Sequence, residues 1–198
     1  MRVAAALLML ILGLAPPALA NPNTQDPAKV PAGTYELDKR HASLFAKIPH
    51  MGGFSRYTLR MTGLDGGFTY DPANWQATKV TINVNPAGIE TGDAGFNKQI
   101  AGYFDSTKFP TITFVSTDLK AENGRGVLTG DLTFHGVTKP VALDVVFNGA
   151  GPGLLGAGTR IGFSGTGRIK RSDFGVTAAR QFAGDDVDLV FEVEFVKK

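Results

Sequence analysis

The side chains with the most chemistry in this 198-residue chain are three histidines, His41, His50 and His135, and a charged stretch at Arg171-Ser172-Asp173. Imidazole is the commonest metal ligand and titrates near neutral pH, so a metal site or an acid–base pair is the first chemistry to test. No two histidines stand at His-x-His or His-x-x-x-His spacing, and no neighbouring carboxylate pattern completes a cluster. Each reads better as a strand-end residue that hydrogen-bonds backbone in a turn, with no metal. His41 follows Asp38 by three residues and precedes Ser43 by two, so a Ser-His-Asp set can be written. Acyl transfer needs the serine on a sharp turn beside an oxyanion hole, and no Gly-x-Ser-x-Gly elbow occurs. No catalytic residue and no cofactor is expected. The alternative is a hydrolase or a quinone- or haem-linked redox accessory using His41, His50 or Asp173. Arg171, with Arg168 and Lys170 close by, could hold a phosphate or carboxylate, which its planar fork fits. An Arg–Asp pair and an Asx-type turn that fix the loop account for the same residues, and are favoured.

These groups must be positioned by strands. Over Leu128–Phe147, Leu128, Gly130, Leu132 and Phe134 alternate with Thr129, Asp131 and Thr133, and Val141, Leu143 and Val145 with Ala142, Asp144 and Val146. A period of two marks strands buried on one face and wet on the other. The break at His135-Gly136 makes them a hairpin. Thr34–Asp38 reads as a first strand, and a turn at Lys39-Arg40 leads to a second over Ser43–Ile48. Ser55–Thr62, Gly66–Tyr70, Lys79–Asn85, Thr111–Leu119, Arg160–Ile169 and Asp188–Val196 read as further strands. Asn148–Gly158, with five glycines and a proline, reads as a loop. Phe96, Ile100, Tyr103 and Phe104 fall at helical spacing, and Thr91 or Asp93 could cap a short helix there. The pattern is all-β, about eight antiparallel strands and one short helix, and periodicity fits a sandwich or a closed barrel equally.

Residues 1–20 combine Arg2, an apolar run and Ala18-Leu19-Ala20, the pattern of a secretory signal cleaved after Ala20. The expected location is therefore periplasmic or secreted. Residues 21–32 read as a disordered lead and 33–198 as one domain. Without Arg2 the basic and acidic residues nearly balance and form no basic run, so no nucleic-acid partner is expected. The chain has no cysteine, which removes disulfides and thiolate sites.

Five stretches carry a resemblance to the YceI-like family of exported lipid-binding proteins. They are Tyr35-Glu36-Leu37-Asp38 with His41 and Ser43; His50-Met51-Gly52; Phe109-Pro110-Thr111-Ile112-Thr113-Phe114 with Ser116-Thr117; His135 to Val141; and Arg171-Ser172-Asp173-Phe174-Gly175. The resemblance implies a lipocalin-like antiparallel barrel whose apolar interior holds a polyisoprenoid or another long-chain amphiphile, without catalysis. The interior would be lined by Leu44, Ala46 and Ile48; Val80 and Ile82; Ile112 and Phe114; Leu132 and Phe134; Leu143 and Val145; Phe163; and Leu189, Phe191 and Val193. Inward-facing Gly130, Gly165, Gly167 and Ala46 would open space, or equally mark tight strand bends. His41, His50, Arg171 and Asp173 are the candidates for a headgroup site at the mouth. A transient membrane contact and a homodimer are both compatible with this reading. One departure concerns the helix: the family often has Arg-Asp-x-His-Leu before its Phe-Asp, and here Phe96-Asn97-Lys98-Gln99-Ile100-Ala101 stands in that region.

Overall fold

A computed structural model describes residues 23–153 and 156–198; the signal expected over residues 1–20 lies outside them. The elements are β1 (Gly33–His50), β2 (Ser55–Met61), β3 (Leu64–Tyr70), β4 (Thr81–Val84), β5 (Ile89–Glu90), α1 (Ala94–Tyr103), β6 (Ile112–Glu122), β7 (Arg125–Phe134), β8 (Val137–Pro152), β9 (Thr159–Lys170) and β10 (Asp186–Lys197). All ten strands join one antiparallel sheet in the order β10-β9-β8-β7-β6-β4-β3-β1-β2-β5, and β10 also pairs with β1. That last ladder closes eight strands into a barrel. Closure removes the free edges that so many strands would otherwise expose.

Local chemistry accounts for the elements. Asn123-Gly124 and His135-Gly136 both take positive φ at both positions, the geometry of a two-residue hairpin turn whose twist matches its strands. Asp93 caps α1, its carboxylate accepting from Phe96 N at 2.7 Å. Pro140 lies in β8 before that strand meets β9 at Leu143, so one side of it is unpaired.

The structure corrects three of the expected boundaries. The two first strands are one, β1, and the turn chemistry at Lys39-Arg40 appears inside it as a bulge. Leu37 pairs with Phe195 and Ala42 with Val193, so residues 38–41 step out of the ladder. The Asp38 carboxylate accepts from Arg40 N there at 3.0 Å. β8 runs on through Asn148–Pro152, because a bulge at Asn148 lets the glycines pair with β9. The segment read as a disordered lead is packed from Thr24 onward. Thr24 exchanges two backbone bonds with Ala150, Val30 is 2% exposed, and Tyr70 and Tyr35 donate to Pro27 O and Pro31 O at 2.7 and 2.8 Å. Ala150 and Tyr70 lie far along the chain from it, which is why composition alone misplaced it.

Two buried clusters bracket the interior. At the end where β1 starts and β10 finishes, Tyr35 stacks on Phe68 with ring centroids 5.4 Å apart, and Phe68 meets Phe195 edge-on at 4.9 Å. At the other end, on the β6–β8 side, Phe114, Leu132, Phe134, Phe174 and Val176 form a second cluster.

The inward glycines do not open room. A Cβ on Gly130 would lie 2.5 Å from Phe114 Cζ, one on Gly165 2.3 Å from Phe191 Cζ, and one on Gly167 2.5 Å from Leu143 Cδ2. Each glycine seats a neighbouring side chain against the wall, as an aromatic covers a strand glycine elsewhere. Gly165→Ala is therefore expected to cost about 1–3 kcal/mol in urea unfolding through overpacking. Gly162→Ala, whose nearest atom would be 3.6 Å away, should fall within about 0.5 kcal/mol of the parent.

Candidate functional site

Between the two clusters the barrel encloses a cavity of about 630 Å³, walled almost wholly by apolar groups. This lies in the range of small-molecule sites, about 300–1,000 Å³. The strands build it by alternation: β1 turns Leu44, Ala46 and Ile48 inward, β8 Leu143 and Val145, and β10 Leu189, Phe191 and Val193. These residues are only partly buried although they point to the inside of the protein. In a filled core the same positions would be fully covered, as Ile161 and Phe195 are. Helix α1 covers one side of the cavity, with Phe96 edge-on to Tyr57 at 5.4 Å and Ile100 buried.

The wall carries few polar side chains. Gln99 Nε2 donates to Tyr103 Oη at 2.6 Å, so the helix presents a neutral pair. Thr78 lines the cavity, but its Oγ1 is covered by protein and has no hydrogen-bond partner among the described residues. At the β6–β7 hairpin Arg125 reaches the lining, exposed on its outer side. The wall comes to the surface at the β1 end through His50 and Phe182, the latter 50% exposed.

The structure brings all fifteen residues of the expected apolar stripe onto this one wall. Of the four headgroup candidates it keeps His50 and Arg171 on the lining and places His41 and Asp173 away from it. His50 lies on the lining, where it bridges to Ala183. His41 lies outside the barrel, its Nδ1 2.8 Å from Asp38 Oδ2. Asp173 is exposed on the turn Arg171–Phe174 and is not part of the lining. Arg171 lines the cavity with its stem while its head is occupied: Nε donates to Gly184 O at 2.8 Å, Nη1 to Val176 O and Ala178 O at 3.0 and 2.6 Å, and Nη2 to Ala183 O at 2.9 Å. Burial pushes its pKa down, without a carboxylate in direct contact. Four of its five donors hold the loop that follows β9, so the expected Arg–Asp pair with Asp173 is replaced by backbone carbonyls. Asp185 instead caps the turn, accepting from Ser172 N and Oγ at 2.9 and 2.7 Å, and the Ser172 hydroxyl bond leads in lowering its pKa.

His135 joins two of the recurring stretches. Its Nδ1 lies 3.1 Å from Phe174 O, an acceptor only, so this nitrogen carries the proton. Its ring packs on Phe109 at 4.8 Å.

Outside the barrel, Asp38, His41 and Glu194 place three ligand atoms within 4.8 Å of one another. Arg160 Nη1 already bridges both carboxylates, at 2.7 Å from Asp38 and 2.8 Å from Glu194. The guanidinium supplies the positive charge of this cluster. Ser43 makes no hydrogen bond to His41 among the described residues, so the set written as a triad is not assembled. The His41 bond first, then the Arg160 bond, hold the Asp38 carboxyl well below the usual carboxylate range.

A family model described as YceI-like domain matches residues 35–195. The chain belongs to the YceI-like family. A UPF0312 protein of Vibrio cholerae is 39% identical over 172 residues, covering 84% of this chain and 89% of that protein. The protein YceI of Shigella flexneri is 37% identical over 171 residues, covering 84% and 88%. Among solved structures, a Campylobacter jejuni YCEI protein superposes with TM-score 0.64 at 31% identity, covering 73% of this chain and 87% of that one. A polyisoprenoid binding domain from Saccharophagus degradans superposes with TM-score 0.61 at 17% identity, covering 83% and 98%, which is a likeness of fold. The five stretches that carry the resemblance supply both parts of the wall: Leu37, His50, Ile112, Phe114, Val141 and Arg171 line the cavity, while the rest of their residues fall largely at turns, the β1 bulge and the Arg171 loop.

Two expectations separate structural from binding roles. Arg171→Lys leaves several carbonyls without a donor and should cost about 2 kcal/mol or more in urea unfolding. Unchanged stability with weaker binding of an anionic amphiphile would make Arg171 a headgroup anchor instead. A carboxyl whose folded pKa lies below its unfolded value stabilises above the unfolded pKa, about 3.9, and that contribution fades as pH falls through the folded pKa. The melting-temperature gap between the parent and Asp38→Asn should thus be constant near neutrality and shrink below about pH 4. A gap independent of pH down to acid unfolding would show that Asp38 contributes nothing through its charge.

Proposed function

We propose that this protein is an exported binding protein that carries a polyisoprenoid or another long-chain amphiphile in its barrel. The observation that carries the reading is the cavity: about 630 Å³ that the inward side chains leave unfilled, with scarcely a polar atom on its wall. Such a space suits a hydrocarbon chain, each buried methylene contributing roughly 0.8 kcal/mol before ordering costs. The fold shared with a polyisoprenoid binding domain supports the ligand class. The signal-like residues 1–20 support export to the periplasm or beyond. On its helix this chain offers the neutral Gln99–Tyr103 pair to the cavity, so the ligand's polar end needs no counter-charge there. No group on the wall needs to do chemistry for this role.

Native mass spectrometry of protein purified from its own host is expected to show an apolar adduct, and delipidated protein should take up long-chain alcohols, amides or polyprenols. Ala46 lies on the wall between Leu189 and Leu59 of the neighbouring strands, so Ala46→Phe should lower uptake about tenfold or more while the circular dichroism spectrum is kept. Delipidated protein that takes up none of these compounds would overturn the proposal.

A further inference from the structure

Three of the five large hydrophobic residues exposed among the described residues gather at one place. Phe54 is 89% exposed, Met51 42% and Phe182 50%. Met51 and Phe54 flank Gly52-Gly53, both at positive φ and, among the described residues, with no atom beyond their chain neighbours within 4 Å of where a side chain would begin. The tip therefore stands clear of the barrel. Phe182 belongs to a different loop, yet the two are stitched together: Met51 N donates to Phe182 O at 2.7 Å and Gly184 N to Pro49 O at 2.8 Å. They form a single rim at the point where the cavity wall reaches the surface through His50 and Phe182.

The charge of this rim has one sign. Residues 49–57 and 178–184 contain Arg56 and Arg180 and no acidic residue. Arg56 pairs with Asp188 from below, whereas Arg180 is exposed and makes no ion pair among the described residues. We propose that the paired loops dock the barrel on an anionic phospholipid surface, with Phe54, Met51 and Phe182 sunk into the interface and Arg180 among the phosphates. Three side chains on a projecting tip are too few for a stable protein interface, which buries about 800 Å² per partner. They are enough for a shallow interfacial anchor, where aromatic residues are at home and cationic neighbours add attraction to anionic lipid. The docking stands on the rim alone. Its use, letting a lipid pass from the bilayer to the cavity without crossing water, rests on the carrier reading above.

The test is flotation of the purified protein with vesicles of phosphatidylglycerol and phosphatidylethanolamine, and with phosphatidylcholine vesicles. The parent should float with the anionic vesicles and more weakly with the zwitterionic ones. Phe54→Ser and Phe182→Ser should each weaken the association about tenfold. Phe54→Ser should leave the melting temperature unchanged, since its ring is almost wholly in solvent, and this variant keeps the test valid if Phe182→Ser unfolds. Arg180→Glu should abolish the preference for anionic vesicles. Failure of the parent to bind anionic vesicles at low salt, or equal binding by Phe54→Ser, overturns the proposal. So does a dimer in solution that Phe54→Ser dissociates, which would assign the tip to a second copy of the chain. Uptake of a long-chain alcohol from solution should be the same in Phe54→Ser and the parent, while uptake from vesicles falls only in the variant. Loss of both in the parent would remove the carrier reading and leave docking to be judged by flotation alone.

Discussion

The ladder between β1 and β10 is the interaction on which the rest depends. Without it the sheet would be an open, twisted surface with its apolar face exposed. With it, Leu44, Ala46 and Ile48 of β1 lie beside Leu189, Phe191 and Val193 of β10 on one continuous wall of a closed interior. The ladder survives a shift of three residues at Leu37/Ala42, and that bulge lets β1 pair with β3 through its first part and β2 through its second. One long bent strand thus belongs to both halves of the wall. The bulge also turns Asp38 and His41 outward to Arg160 and Glu194, so the main ion-pair cluster pins the place where the ladder is irregular.

Filling is uneven, and the unevenness makes the cavity. Aromatic rings pack densely where β1 begins and where β6, β7 and β8 meet the Arg171 loop. Between these clusters most inward residues are aliphatic or small, Phe191 lies against Gly165, and together they leave about 630 Å³ unfilled. A barrel of this size stands at the threshold between self-filling and ligand-holding. The glycines on the inner face keep the wall thin only in the sense that rings and leucines lie flat against them.

Most of the polar chemistry that drew notice in the primary structure serves the wall. His135 ties the β7–β8 turn to the Arg171 turn, Ser172 and Asp185 cap one another, and Arg171 ties four carbonyls of one loop. A buried guanidinium satisfied by carbonyls fixes loop geometry through its directional donors. Rigidity of that loop is what sets Phe182 beside Met51 at the cavity's edge.

Most of the strands, the β7–β8 turn, the helix cap at Asp93 and the apolar stripe could be read from the chain, because each depends on residues a few positions apart. Alternation assigns Leu132 or Val193 to an inner face whatever the partner strand is. Tertiary structure alone decided the remainder. Arg160 lies 122 residues from Asp38, and the carbonyls that hold Arg171 are set by the path of a loop, so no local pattern announces either contact. Turn chemistry at Lys39-Arg40 was visible, but whether the chain reverses there or bulges and continues is settled by β10, which offers a ladder on the far side. The lead over residues 23–32 gains its order largely from Ala150 and Tyr70, residues it meets only once the barrel has formed. The cavity belongs to the same class: alternation names the residues that face inward, whereas the space between them depends on strand number, closure and the reach of side chains from opposite walls.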